Sequence, residues 1–197
     1  MTVHILNLTR RIFGWGIGAY TFSFTSAAAT GKTMASDLIQ PKRLPLEENL
    51  QSALHTIGSD VAKNAADNLA QNAASSPSVD FHLRNSGFSA DDVKLIANIL
   101  GMTPLRELAR LRSFSLSDNT IGNEGAKALA AALPKTLTEL GLVGCAIGDQ
   151  GGKAILEWAK YASGLRMIRI EDNRLSQGLH TQFGDLQNTS PGMSVFS

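Results

Sequence analysis

The strongest constraint on this chain is a period. The run Leu111-x-x-Phe114-x-Leu116-x-x-Asn119-x-Ile121-Gly122 returns 26 residues later as Leu137-x-x-Leu140-x-Leu142-x-x-Cys145-x-Ile147-Gly148. It returns 28 residues after that as Leu165-x-x-Ile168-x-Ile170-x-x-Asn173-x-Leu175. A fainter copy stands 33 residues before the first, with Phe81, Leu83 and Phe88 in the places of Phe114, Leu116 and Ile121, and Ser86 in that of Asn119. The surplus residues between this copy and the next fit around Gly101 to Leu108. Within each copy the apolar residues first alternate, which is the period of a strand. They then recur every three or four positions, which is the period of a helix: Val93, Ile96, Ile99 and Leu100; Ala126, Leu129, Ala130 and Leu133; Ala154, Ile155 and Trp158. Each unit is thus a strand, a turn and a helix. One unit cannot bury its own apolar face, so such units stack.

The pattern L-x-x-L-x-L-x-x-N/C-x-I-G-x-x-G-A resembles the ribonuclease-inhibitor class of leucine-rich repeats, a class also seen in Ran GTPase-activating proteins and nucleotide-sensing immune receptors. The resemblance covers residues 78–180, roughly half the chain. It implies an α/β fold: a short leucine-rich repeat solenoid of about four strand-turn-helix units with a parallel concave sheet. It also implies that Gly122 and Gly148 relieve the turn into the helix, and that Gly125 and Gly151 let helix and strand approach closely. The Asn/Cys position implies a structural ladder of Asn119, Cys145 and Asn173, with side chains inside the turn satisfying backbone groups left open there. A nucleophilic cysteine needs a neighbouring base and exposure. The repeat instead places Cys145 in the interior.

The spacing also names the side chains that project from the concave face. They are Asp80, His82 and Arg84; Ser113, Ser115 and Ser117; Glu139, Gly141 and Val143; and Met167, Arg169 and Glu171. The outer rows carry charge, and the middle rows are small or uncharged apart from Glu139. Such a floor suits a protein or peptide. The expected binding residues are Asp80, His82, Arg84, Ser115, Glu139, Met167, Arg169 and Glu171, with Arg84, Arg169 and Glu171 as anchors. No G-x-S-x-G elbow, H-E-x-x-H pair or dinucleotide fingerprint occurs. Asp91, Asp92, Glu124 and Asp149 follow the turns, where they complement helix N-termini. The expectation is a non-catalytic protein-binding module with no cofactor and no metal. The alternatives are a regulator of an enzyme, GTPase-activating-like or inhibitor-like, and a structural subunit of a larger assembly.

The flanks differ from the repeats. Residues 1–36 contain no acid and combine Arg10-Arg11, a weakly apolar run from Ile12 to Phe24, and Ala27-x-Ala29. That layout reads as an export signal cleaved after Ala29, with Thr9-Arg10-Arg11-Ile12-Phe13 resembling a twin-arginine motif. A mitochondrial transit peptide and an uncleaved cytoplasmic leader are the alternatives. Ser26 to Thr33 imitates a phosphate-binding loop without its first glycine, strand or partner motif. The apolar run is broken by glycine, threonine and serine, so no stable membrane span is expected. Residues 37–77 hold a linker and a helix over 45–74, with Leu46, Leu50, Leu54, Ile57, Val61, Ala65 and Leu69 on one face. This helix caps the array, and Gly58 is where it can kink or divide. The repeats occupy 78–183, and 184–197 is expected to be a flexible polar tail. Net charge is +1 over 197 residues, which gives no nucleic-acid footprint. The single cysteine and four scattered histidines exclude a disulfide scaffold and a zinc fold.

Overall fold

The structure, a computed structural model, describes residues 46–73 and 77–197. The leader, its site after Ala29 and the linker from Pro41 to Pro45 lie outside the described residues. In chain order the elements are α1 (Leu46–Ile57), α2 (Asp60–Ala73), β1 (Val79–His82), α3 (Ala90–Met102), α4 (Leu105–Leu108), β2 (Leu111–Ser115), α5 (Gly122–Ala132), β3 (Glu139–Gly141), α6 (Asp149–Lys160), β4 (Met167–Arg169), α7 (Gln177–Thr189) and β5 (Ser194–Phe196).

The repeat period is the register of the sheet. All five strands run parallel in the order β1-β2-β3-β4-β5. Phe81 pairs with Phe114, Phe114 with Leu140, and Leu140 with Ile168, so equivalent repeat positions stand side by side. Helices α3, α5, α6 and α7 pack in sequence as the second layer. Between the layers Leu111, Leu116, Ile121, Leu137, Leu142, Ile147, Ile168 and Ile170 are buried. Each contributes about 1.5 to 3 kcal/mol on leaving water. The Phe81 and Phe114 rings stack with centroids 5.1 Å apart. The surplus residues before β2 form the end of α3 and the short α4.

The turn between strand and helix is held by the Asn ladder. Asn119 Oδ1 accepts from the backbone N–H of Ser86 (2.9 Å) and Phe88 (3.0 Å). Its Nδ2 donates to the carbonyls of Leu83 and Leu116, both at 2.7 Å. Asn173 repeats this two units later, accepting from Cys145 and Ile147 N–H and donating to Leu142 and Ile170 carbonyls. Cys145 has no amide and makes less of the position. Its Sγ donates to the Leu116 carbonyl at 3.2 Å, while Ile121 N–H turns to the carbonyl of Asn119 itself. Burial pushes the thiol pKa up to about 11, against the lowering effect of the backbone at Asn119.

Of the two turn glycines, only Gly122 needs glycine's backbone, at φ +59°. Gly148 has φ −97°, so the expected turn relief does not apply there. It is small because a Cβ would stand 3.3 Å from Asn123 Oδ1, which accepts from Gly148 N–H (2.8 Å) and Gly151 N–H (3.0 Å). At Gly151 a Cβ would come within 2.9 Å of Asn123 and Ala126 on α5 and of Ile147 in the turn, so the close approach is of helix to helix and not of helix to strand as expected.

Both ends of the array are capped. The expected helix over 45–74 divides at Gly58, φ +76°, into α1 and α2. The break resets the helical phase: Leu46, Leu50 and Leu54 are buried, but Val61 is 46% exposed and Ala62 and Ala66 are buried instead. Helix α1 packs on both α2 and α3. Glu47 is buried and paired through both carboxylate oxygens with Arg110, at 2.9 Å for Oε2. Hydrogen bonding to Glu47, set against burial, holds the Arg110 pKa above its already high ordinary value.

At the other end, residues 184–197 are not a flexible tail. Helix α7 continues through Gly184 to Thr189, and β5 completes the sheet. Leu179, Phe183, Leu186 and Met193 are buried. The segment is polar because a cap needs only one apolar face.

Candidate functional site

The concave face is built by the alternate residues of the strands. Registers place Asp80 beside Ser113, Ser113 beside Glu139, and Glu139 beside Met167, forming one transverse row. His82, Ser115, Gly141, Arg169 and Phe196 form the next. Asp80, His82, Ser115, Glu139, Met167 and Arg169 therefore fall in two adjacent rows of the sheet, Arg84 and Glu171 follow the ends of their strands, and β5 adds Ser194 and Phe196, which the repeat pattern alone could not supply.

Within the face the residues are tied to one another. Ser113 Oγ lies 2.6 Å from His82 Nε2 and 3.4 Å from Glu139 Oε2. Ser113 and Ser117 are covered by this crowding and are buried. Ser115 and Ser117 hydroxyls are 3.3 Å apart, and Ser117 Oγ accepts from Val143 N–H at 3.2 Å. Gly141 leaves room for that floor, since a Cβ there would meet Ser115 Oγ at 2.6 Å. A serine beside a histidine invites a catalytic reading, but the chemistry runs the wrong way. Glu139 lies on the serine, whereas a nucleophilic serine needs its acid on the far nitrogen of the histidine. Among the described residues no carboxylate takes that place, and no group of three His, Cys, Asp or Glu side chains could hold a metal ion.

The expected anchors are partnered inside the chain. Arg84 Nε donates to Asp118 Oδ2. Arg169 donates to Glu171 Oε1 from Nη2 at 3.1 Å and lies over the Phe196 ring, 5.9 Å from its centroid. With Met167 beside them, Arg169 and Phe196 make a mixed cationic and aromatic patch that is largely open to solvent. Glu171 is half-buried, and its Oε2 has no partner among the described residues.

Asp118, the partner of Arg84, belongs to a second recurrent position of the repeat. Asn85, Asp118, Gly144 and Asp172 occupy equivalent places and all have positive φ, between 50° and 63°. Asn, Asp and Gly tolerate that region best, so their recurrence just before the ladder was a usable signal. Asn123 and Asp149 mark a third position: Asp149 Oδ1 accepts from Ser176 N–H at 2.7 Å, which holds its pKa below the usual carboxylate value.

The sequence of residues 110–130 and 134–156 matches the leucine rich repeat family. Residues 110–156 are a leucine-rich-repeat region. The match covers the strand, the turn and most of the helix of two units, and the neighbouring units continue the same strand-turn-helix geometry on either side. No curated protein matches the chain. Among the described residues no helix is long and apolar enough to cross a membrane.

Proposed function

We propose that the chain is a non-catalytic interaction module that receives a protein or peptide on its concave face. The observation that carries this reading is the patch of Arg169, Phe196 and Met167 at the C-terminal end of the sheet. Arginine and aromatic side chains held in place are the residue types that anchor interfaces, and the Phe196 ring and Glu171 carboxylate fix the guanidinium before a partner arrives. Leucine-rich repeats are scaffolds typically used for protein binding. The repeats are of the ribonuclease-inhibitor-like kind, a reading supported by the Asn/Cys-x-Ile-Gly-x-x-Gly spacing and by a full helix in each unit. An export role rests on the acid-free start and the Ala27-x-Ala29 site, and N-terminal sequencing of the native protein tests it.

Arg169→Glu tests the face, beside the control Lys127→Glu on α5, where the lysine pairs with Glu124 on the opposite layer. Melting of both variants is compared with the parent first, because Arg169→Glu sets a second carboxylate beside Glu171. Affinity for the native partner should then fall by roughly 2 kcal/mol or more for Arg169→Glu and stay unchanged for Lys127→Glu. Equal loss in both, or in neither, places the site elsewhere.

A further inference from the structure

The two edges of the sheet are finished differently. At β5 the outward N–H of Val195 donates to Gln187 Oε1, 3.1 Å away, so a side chain of α7 closes that edge. At β1 the N–H groups of Val79, Leu83 and Asn85 are spent on β2, donating to the carbonyls of Arg110, Ser115 and Ser117. Strand geometry turns the N–H and C=O groups of Asp80, His82 and Arg84 to the opposite edge. Among the described residues nothing bonds there to the groups of Asp80 and His82 or to the Arg84 N–H, while the Arg84 carbonyl accepts from Ser86 Oγ at 3.3 Å.

A cavity of about 450 Å³ runs along this open edge, between β1 and α2. Its α2 wall combines apolar Val61, Ala65 and Leu69 with Asn64 and Asn68. Open backbone groups beside an apolar wall define the shape of what fits: an extended chain that completes the ladder while alternate side chains face the wall. A second copy of this chain is a poor occupant, because pairing β1 with β1 would bring a second α2 against the first. Charge narrows the choice further. Arg84 is neutralised by Asp118, whereas the Asp80 carboxylate has no partner among the described residues.

We propose that β1 is a docking edge for an extended segment of a partner protein, added as a further parallel or antiparallel strand. The segment alternates apolar side chains, packed on Val61, Ala65 and Leu69, with polar ones on the concave side, where a basic residue lies beside Asp80. This site uses backbone edge groups and α2, and it stands independently of the Arg169 patch.

The test uses the full chain and a fluorescein-labelled peptide, Thr-Val-Lys-Val-Thr-Val-Lys-Val, followed by anisotropy. Two modified peptides accompany it, one N-methylated at every valine and the other at every threonine and lysine. Only one edge of a strand faces β1, so one modified form should lose about tenfold or more in affinity and the other should bind like the parent. Asn64→Trp, which fills the cavity from an exposed position of α2, should weaken the parent peptide by about tenfold, with Asp67→Trp outside the cavity unchanged. Amide exchange at Asp80, His82 and Arg84 should slow on adding peptide, and Arg169→Glu should leave all of this intact. Failure of the peptide to bind overturns the proposal, as does equal loss from both N-methylated forms. Slow exchange before any peptide is added would show the edge already filled by this chain, and a dimer abolished by Asn64→Trp would show a second copy there. Either result also overturns it.

Discussion

Asn119 does at residue scale what no apolar residue in the repeat can do. It joins two successive turns by satisfying Ser86 and Phe88 amides and Leu83 and Leu116 carbonyls, all buried from water. Asn119→Ala should therefore cost about 1 to 3 kcal/mol of unfolding free energy, read from denaturant midpoints. Cys145→Ser should cost less, because a hydroxyl can keep the donation to Leu116 and no second amide group is lost. An equal cost for the two would mean that the ladder is not what holds the turns. The thiol makes a separate prediction about pH. Its folded pKa of about 11 lies above the unfolded value, so the unfolded chain releases this proton first as pH rises. Stability from this group is whole below pH ~8.5 and falls by roughly 3 kcal/mol as pH climbs through the folded pKa. Other groups titrate in that window too, so the measurement is the difference between parent and Cys145→Ser. The parent should lose more stability between pH ~8.5 and ~11, and parallel curves would contradict the burial of the thiol.

At the scale of elements, what finishes the array matters as much as what repeats in it. Helix α1 covers the first unit and is pinned by Glu47 to Arg110, the residue just before β2. Glu47 is buried but Arg110 is partly exposed, so water reaches the guanidinium left behind, and Glu47→Gln should destabilise by about 1 to 3 kcal/mol through its lost charged hydrogen bonds. Arg110 keeps Glu107 and the Pro77 carbonyl, which makes that figure an upper range. Deleting residues 30–74 should expose the face under Leu46, Leu50 and Leu54 and cause aggregation, measured by light scattering. A monomeric deletion product of unchanged stability would make α1 and α2 a separate binding element. The caps were also the least legible part of the sequence. The period reveals strands and helices because each unit meets the same neighbours, and so the same side chains recur at Phe114, Leu140 and Ile168. A cap meets a unit on one side and water on the other. Leu179, Phe183, Leu186 and Met193 accordingly sit in a polar stretch with no copy to compare, and Glu47 and Arg110 meet across 63 positions with no local signal.

At the scale of the whole molecule, the described residues form a five-stranded parallel sheet with α3, α5, α6 and α7 packed in sequence beside it. Its face was legible as a set of rows because strand alternation fixes which residues point outward. Which of those residues are free to meet a partner was not legible. The pairing of Arg84 with Asp118, the cover over Ser113 and the arrival of Phe196 beside Arg169 all depend on neighbours brought in by the turns and by β5. A partner of the Arg169 patch should meet the sheet and not the stacked helices α3, α5 and α6. Photo-crosslinking from single benzophenone residues tests it most directly, with the probe at Met167 on the sheet or at Lys153 on α6, in the native host. The Met167 probe should trap a defined protein and the Lys153 probe should not; trapping from Lys153 alone, or equally from both, would contradict the claim.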